Sequence, residues 1–441
     1  MIRGTPAPGI RRDFMSRLTE ARVRSDALFE RIRPEGIGER PIAERHRFIF
    51  YLGHLEAFDW NLLGRFGLER GPVHREFDRL FERGIDPVDG DLPDDRPSDW
   101  PGRDEVLRYG HAARDRVDAA LRETAGRGHP LLEDGTLLHA AIEHRLMHIE
   151  TLSYMLTWLP HPLKTGGAAP EPPGDAPATP RMVEIPEGYA TLGLPRGLAG
   201  RFGWDNEFVE QQVRVPAFAI DADDVTNGRF LEFVRAGGYD DRSSWSDADW
   251  EWKERAGVRH PMFWIRRGDA WFQRATFGDL PLPLSWPVYV SHAEASAYAR
   301  WTGKALPSEA QWQRAACGAR DGRESKYPWG DDPPDATRGN FDFRRFDPLP
   351  VGARPAGTST FGVRDLAGNG WEWTRTPFEP FAGFERSPYY PGYSADFFDG
   401  RHFVLKGGSA VTAACLLRRS FRNWFQPHYP HIYAAFRCVR E

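Results

Sequence analysis

His144 and His148 stand four residues apart in the stretch Glu143-His144-Arg145-Leu146-Met147-His148-Ile149-Glu150. On a helix that spacing sends both rings off one face, about one turn apart. Two imidazoles so placed can chelate one metal ion. A zinc protease of the H-E-x-x-H type needs Glu directly after the first His as general base. Arg145 fills that place, which excludes the protease. Glu150, two residues past the second His, suits either a role behind a ligand ring or an ion pair on the helix surface. A third histidine, His54, lies among apolar neighbours in another helical stretch. Read alone it is a hydrogen-bonded core histidine. Brought beside the pair in one bundle, it completes a three-His site with open coordination positions.

The elements that must position these rings are helical. Residues 11–33 carry an apolar stripe of Phe14, Leu18, Val23, Leu28, Phe29 and Ile32 among charged residues. Pro41 is suited to a first helical position and opens a second helix to about Gly67, with His54 in its middle. Residues 71–102 are rich in Pro, Asp and Gly and read as a long excursion. A third helix spans roughly 103–125, ended by Gly126, Gly128 and Pro130. The fourth, about Thr136 to Leu159, bears the His pair. Four long helices with one long connection predict a four-helix bundle over 1–160.

Residues 161–181 turn to Pro, Gly and Ala and read as a linker. Beyond them, 182–441 has another texture. It holds thirteen of the sixteen Trp, many Gly and Pro, and few periodic segments. Capping-box patterns at Ser291/Glu294 and Ser308/Gln311 predict short helices ending near Trp301 and Cys317. The rest is expected as short strands and ordered loops around buried aromatics.

Net charge is −5, and no basic block stands out. Nucleic acid and anionic membranes are therefore not expected as partners. No apolar run approaches the roughly 18 residues of a spanning helix. Met1-Ile2-Arg3-Gly4-Thr5-Pro6 has no apolar core of a secretory signal. Cys317, Cys415 and Cys438 show no C-x-x-C spacing and read as structural thiols. A cytoplasmic location is expected.

The second half resembles the formylglycine-generating-enzyme, or sulfatase-modifying-factor, family. The resemblance rests on Ile185-Pro186-Glu187-Gly188, Trp286-Pro287-Val288, Ala305-Leu306-Pro307-Ser308-Glu309-Ala310-Gln311-Trp312, Tyr327-Pro328-Trp329-Gly330, Gly368-Asn369-Gly370-Trp371-Glu372-Trp373-Thr374, Lys406-Gly407-Gly408-Ser409 and Ala435-Phe436-Arg437. It implies a C-type-lectin-like α+β domain. Formylglycine formation itself uses a cysteine pair, and Thr412 and Leu417 occupy the aligned places, so that activity is not expected. The first half resembles a DinB-like bundle. The two together are similar to the sulfoxide synthases of ergothioneine biosynthesis. That resemblance implies Fe(II) held by His54, His144 and His148, with O2 as co-substrate. It implies a bond formed from a chalcogen donor to C2 of the imidazole of hercynine, a trimethylated histidine. It places Asn423 and Trp424, in Arg422-Asn423-Trp424, among the substrate-binding residues.

The chain departs from those synthases on the donor side. Phe378 and Phe381 stand where the family has tyrosines, one of them a proton donor, and neither can give a proton. The proton donor is thus unknown. Met147 replaces a Gln that touches the imidazole substrate, and Phe425 replaces an acid. No Arg pair for the carboxylates of γ-glutamylcysteine is found in 71–102. These departures resemble the selenoneine synthase branch, which takes a neutral selenosugar as donor. Alternatives stay open: a hercynine sulfoxide synthase using γ-glutamylcysteine or cysteine, a non-catalytic binding module, and a zinc-dependent thiol transferase of DinB type.

Overall fold

The computed structural model describes residues 8–82, 94–123, 129–168, 170, 179–197 and 201–441. Met1–Pro6, Gly126 and Gly128, part of the 71–102 excursion (83–93) and part of the Pro/Gly-rich stretch (169 and 171–178) lie outside the described residues. The chain divides into two compact units. The first takes the described residues of Met1–Gly167 together with those of Leu198–Phe202 and Ser387–Gly392, and the second takes the remainder.

Four long helices build the first unit: α1 (Pro8–Phe29), α2 (Phe48–Asp59), α4 (Arg103–Glu123) and α6 (Thr136–Trp158), with short α3 (Arg75–Leu80) and α5 (Pro130–Glu133) between them. α1 packs along α6, and α2 along α4 and α6. α6 is buried nearly all round, which fits its apolar sequence and makes it the central helix. Its start is fixed by Gly135. That residue sits at φ +87°, and an added Cβ would lie 3.1 Å from the Phe14 ring. The Asp134 carboxylate accepts from the Thr136 N–H at 2.9 Å, serving one of the amides that a helix start leaves unbonded.

Several expectations need correction. α1 ends at Phe29, and Val23, placed on the buried stripe, is 60% exposed. Pro41 does not open α2. The chain turns through 41–46, burying Ile42, and the helix starts after Arg47. Beyond Asp59 the helix widens into a π-helical stretch, Trp60–Phe66. The excursion is not free of helix, since α3 lies in it and a single 3-10 turn spans Pro97–Asp99. The chain stays with the bundle to residue 167: Ile32 bridges Lys164, and the Thr165 N–H donates to the Arg31 carbonyl at 2.9 Å.

The second unit is the α+β domain that the family resemblance implied. Its strands are β1 (Met182–Ile185), β2 (Gly188–Leu192), β3 (Gln211–Val215), β4 (Phe218–Asp221), β5 (Trp264–Arg267), β6 (Ala270–Ala275), β7 (Gly278–Pro281), β8 (Trp371–Pro377), β9 (Phe403–Lys406), β10 (Asn423–Phe425), β11 (Ala434–Ala435) and β12 (Val439–Arg440). They form small sheets ordered β1-β4-β12, β10-β9-β8-β11, β5-β6-β7 and β2-β3. Both expected capping boxes are present, at the starts of α9 (His292–Trp301) and α10 (Glu309–Cys317). Two further helices, α7 (Asn227–Arg235) and α8 (Asp247–Ala256), were not expected.

The motif residues prove to be joints of this interior. The Glu372 carboxylate accepts from Trp312 Nε1 at 3.0 Å and from Arg437 Nε at 2.5 Å, linking three of the sequence motifs in one buried cluster. Buried charge is tolerated there because each partner is hydrogen-bonded. Trp373 Nε1 donates to the Val290 carbonyl at 2.9 Å. Thr412 is buried, its hydroxyl accepting from the Ser409 N–H at 2.7 Å. Of the cysteines, Cys317 and Cys438 are buried as structural thiols, whereas Cys415 is exposed. No described helix is long and apolar enough to cross a membrane.

Candidate metal centre

α2 and α6 bring His54, His144 and His148 together, all three buried, with one ligand atom of each within 4.8 Å of the others. His54 Nδ1 lies 2.7 Å from the carbonyl oxygen of Phe81, just past α3. A carbonyl only accepts, so Nδ1 carries the proton and the lone pair sits on Nε2. That Nε2 is buried with no protein partner among the described residues. The Nε2 atoms of His144 and His148 face each other at 3.1 Å.

The rings are fixed by aromatic neighbours. Phe58, one helical turn past His54, lies face to face on His144, with centroids 3.4 Å apart and planes 9° apart. Phe50 stacks on His54 at 4.9 Å, and Tyr51 is tilted against His148 at 5.7 Å. Tyr390, from the Ser387–Gly392 segment of the same unit, meets His144 edge-on at 5.9 Å and Phe58 at 5.4 Å.

Burial keeps all three imidazoles neutral. It pulls His54 down to about 4, against the Phe81 carbonyl, which favours the charged ring. It holds His144 and His148 well below the usual histidine range, with help from the neighbouring imidazoles. Neutral imidazole is the form that binds a metal. Three buried imidazoles converge here, and His54 Nε2 has no protein partner among the described residues; an ion would satisfy such a cluster, so these residues fit one. Imidazole donors suit iron, zinc, copper and nickel.

Behind the triad runs a buried ionic layer. Arg145 is fully buried and donates to Glu56 Oε1 at 2.9 Å, Asp59 Oδ2 at 2.7 Å and the Leu55 carbonyl at 3.1 Å. Burial alone would raise the Glu56 carboxyl, but Arg145 and Arg114 outweigh it and hold it well below the usual range. The residue that excludes a protease thus ties α6 to α2, the two helices that carry the three histidines.

The other expected site residues are placed as follows. Glu150 is buried on α6 and Met147 half-buried there. Asn423, Trp424 and Phe425 form β10 in the second unit, all half-buried. Phe378 is fully buried and stacks on Trp424, with centroids 4.3 Å apart and planes 5° apart. Phe381 is buried beneath the Arg422 guanidinium at 4.2 Å. Arg422 in turn donates to Glu309 Oε1 at 3.0 Å and is part of the interior. Sequence reasoning missed Phe58, the Phe81 carbonyl, the Arg145 partners and Tyr390. Only Phe58 carried a signal, its i+4 spacing from His54.

A helical bundle with a buried three-His cluster, followed by a loop-rich α+β domain, defines a two-domain class. Residues 17–152 match the DinB superfamily, and residues 168–441 match the sulfatase-modifying factor enzyme 1-like domain. The chain is 41% identical over 238 residues to the hercynine oxygenase of Mycobacterium tuberculosis, covering 53% of this chain and 55% of that protein. It is 38% identical over 306 residues to the hercynine oxygenase of Mycolicibacterium thermoresistibile, covering 68% and 67%. To ergothioneine biosynthesis protein 1 of Neurospora crassa it is 27% identical over 497 residues, covering 92% and 55%. The chain belongs to the hercynine oxygenase family. The match spans about half the length of the first and third of these relatives and about two thirds of the second.

Proposed function

We propose that this chain is a non-heme iron(II) enzyme that uses O2 to join a selenosugar to C2 of the hercynine imidazole. The observation that carries the metal reading is the convergence of three buried imidazoles, His54, His144 and His148, whose ligand nitrogens lie within 4.8 Å of one another. The hercynine reading is supported by the relatives named above. Bound to the triad, Fe(II) supplies the site for O2 and for a soft chalcogen donor.

The chain's own residues have distinct tasks in this reading. The Phe81 carbonyl sets the His54 tautomer. Arg145 holds the two ligand helices together. Asn423 is assigned to hydrogen-bond hercynine, and Trp424 to face its trimethylammonium by cation–π attraction. Met147, Phe378, Phe381 and Phe425 offer no charge or hydroxyl to the donor. A dicarboxylate held against such groups would lose its paired partners, and an unpaired buried carboxylate costs several kcal/mol. A neutral sugar avoids that cost.

The test is a donor competition. Iron-loaded protein is given hercynine, O2 and equal amounts of a selenosugar, γ-glutamylcysteine and cysteine, and products are identified by mass spectrometry. The selenium product is expected to dominate. A dominant sulfoxide from γ-glutamylcysteine selects a sulfur donor, as the likeness to hercynine oxygenases also allows. Protein without stoichiometric iron and without turnover selects a binding module.

A further inference from the structure

Resting on the metal reading above, we infer that Tyr390 is a positioning residue of the metal centre and acts through the ring of His144. The Ser387–Gly392 segment lies far downstream of the bundle helices in sequence, yet it belongs to their compact unit. Tyr390 is half-buried and touches two members of the cluster at once. Its ring meets His144 at 5.9 Å and 72°, and Phe58 at 5.4 Å and 63°. Phe58 already covers one face of His144 at 3.4 Å. An imidazole pressed flat on one side can still pivot in the plane of that stack. An aromatic edge at a near-right angle to both rings stops the pivot, and edge-to-face geometry is the favoured one for such a contact.

His144 lacks the usual anchor. His54 is anchored by a hydrogen bond from Nδ1, as ligand histidines usually are. His144 Nδ1, like that of His148, is buried and has no hydrogen-bond partner among the described residues. Ring packing therefore replaces the missing hydrogen bond in aiming His144 Nε2. The aim of one of three ligands is then set by a residue outside the four long helices.

The test uses full-length Tyr390→Phe and Tyr390→Leu proteins, loaded with Co(II) as an optical probe. Tyr390→Phe keeps the ring and is expected to retain wild-type Co(II) affinity and ligand-field bands. Tyr390→Leu keeps bulk without the aromatic edge. It is expected to bind Co(II) about two- to tenfold more weakly, with shifted bands, the range that an aromatic pair supports. Thermal melting of both variants near the wild-type value separates this effect from misfolding, and wild-type bands in Tyr390→Phe serve as the rescue. Wild-type affinity and bands in Tyr390→Leu overturn the inference, as does a loss in Tyr390→Phe equal to that in Tyr390→Leu. A wild-type protein that binds no Co(II) overturns the metal reading itself, and this inference with it.

Discussion

The Phe81 ring fills the space beside Gly53, so that a Cβ on residue 53 would lie 2.6 Å from three of its atoms. The same residue's carbonyl holds His54, the next residue along α2. Gly53→Ala should therefore push Phe81 away and loosen the His54 anchor. Overpacking of this kind costs about 1–3 kcal/mol. Losing a partner behind a ligand typically costs about 10–100-fold in metal affinity. Denaturant melts and a metal-competition titration check both effects. Unchanged metal affinity would show that the carbonyl is not needed to orient His54.

Each ligand should matter more than any supporting partner. His54→Ala, His144→Ala and His148→Ala are each expected to lose most iron, beyond the roughly 10–100-fold of a lost supporting contact, together with O2-dependent turnover. Iron per chain, measured after identical loading, is the readout. Full iron in His144→Ala would refute the three-His assignment.

Arg145→Met removes the shared partner of two buried acids, leaving Glu56 to Arg114 at 2.8 Å and Asp59 to Arg22 at 3.9 Å. Breaking a buried pair from one side costs about 3–5 kcal/mol. The triple variant Arg145→Met, Glu56→Gln, Asp59→Asn should recover much of that loss, since no bare charge remains. Equilibrium unfolding of the three proteins decides it. A single variant as stable as wild type would mean that these acids find other partners.

His292 in α9 gives a pH signature away from the metal centre. Burial brings it from 6.5 down to about 4, against the raising effect of Asp249 and of its bond to the Thr374 backbone. Its folded pKa is depressed, so the unfolded chain takes up its proton first. Stability from this group is complete above pH 6.5 and falls as pH drops toward 4, by about 3 kcal/mol in all. The ring stacks on Phe403 at 3.9 Å, so His292→Phe keeps the packing while removing the titration. Its stability should vary less than wild type between pH 6.5 and 4. Parallel curves for the two proteins would count against the assignment.

What the sequence made legible follows from periodicity. α4 was readable because its apolar residues recur at helical spacing, and α6 because it is a long, largely apolar stretch on which the His pair stood out at i,i+4 spacing. Ser291 and Ser308 marked helix starts because a capping box is a local pattern. The same kind of signal at Ser246, which caps α8 by accepting from the Asp249 N–H, lay unread among the tryptophans. Pro41 misled because a proline that suits a helix start also suits a turn. Phe81 and Tyr390 could not be read at all. They come from irregular segments, and only the folded chain brings them to the histidines.

The charged layer around Arg145 also guards against an alternative arrangement. Two apolar helices slide past one another at modest cost, because one greasy contact resembles the next. A shift of α6 by one turn, about 5.4 Å, would strand a guanidinium and two carboxylates in a dry interior. Polar groups buried at a single level can select one register out of several. The height of His144 and His148 relative to His54 is thus dictated by charged groups that are not part of the histidine cluster.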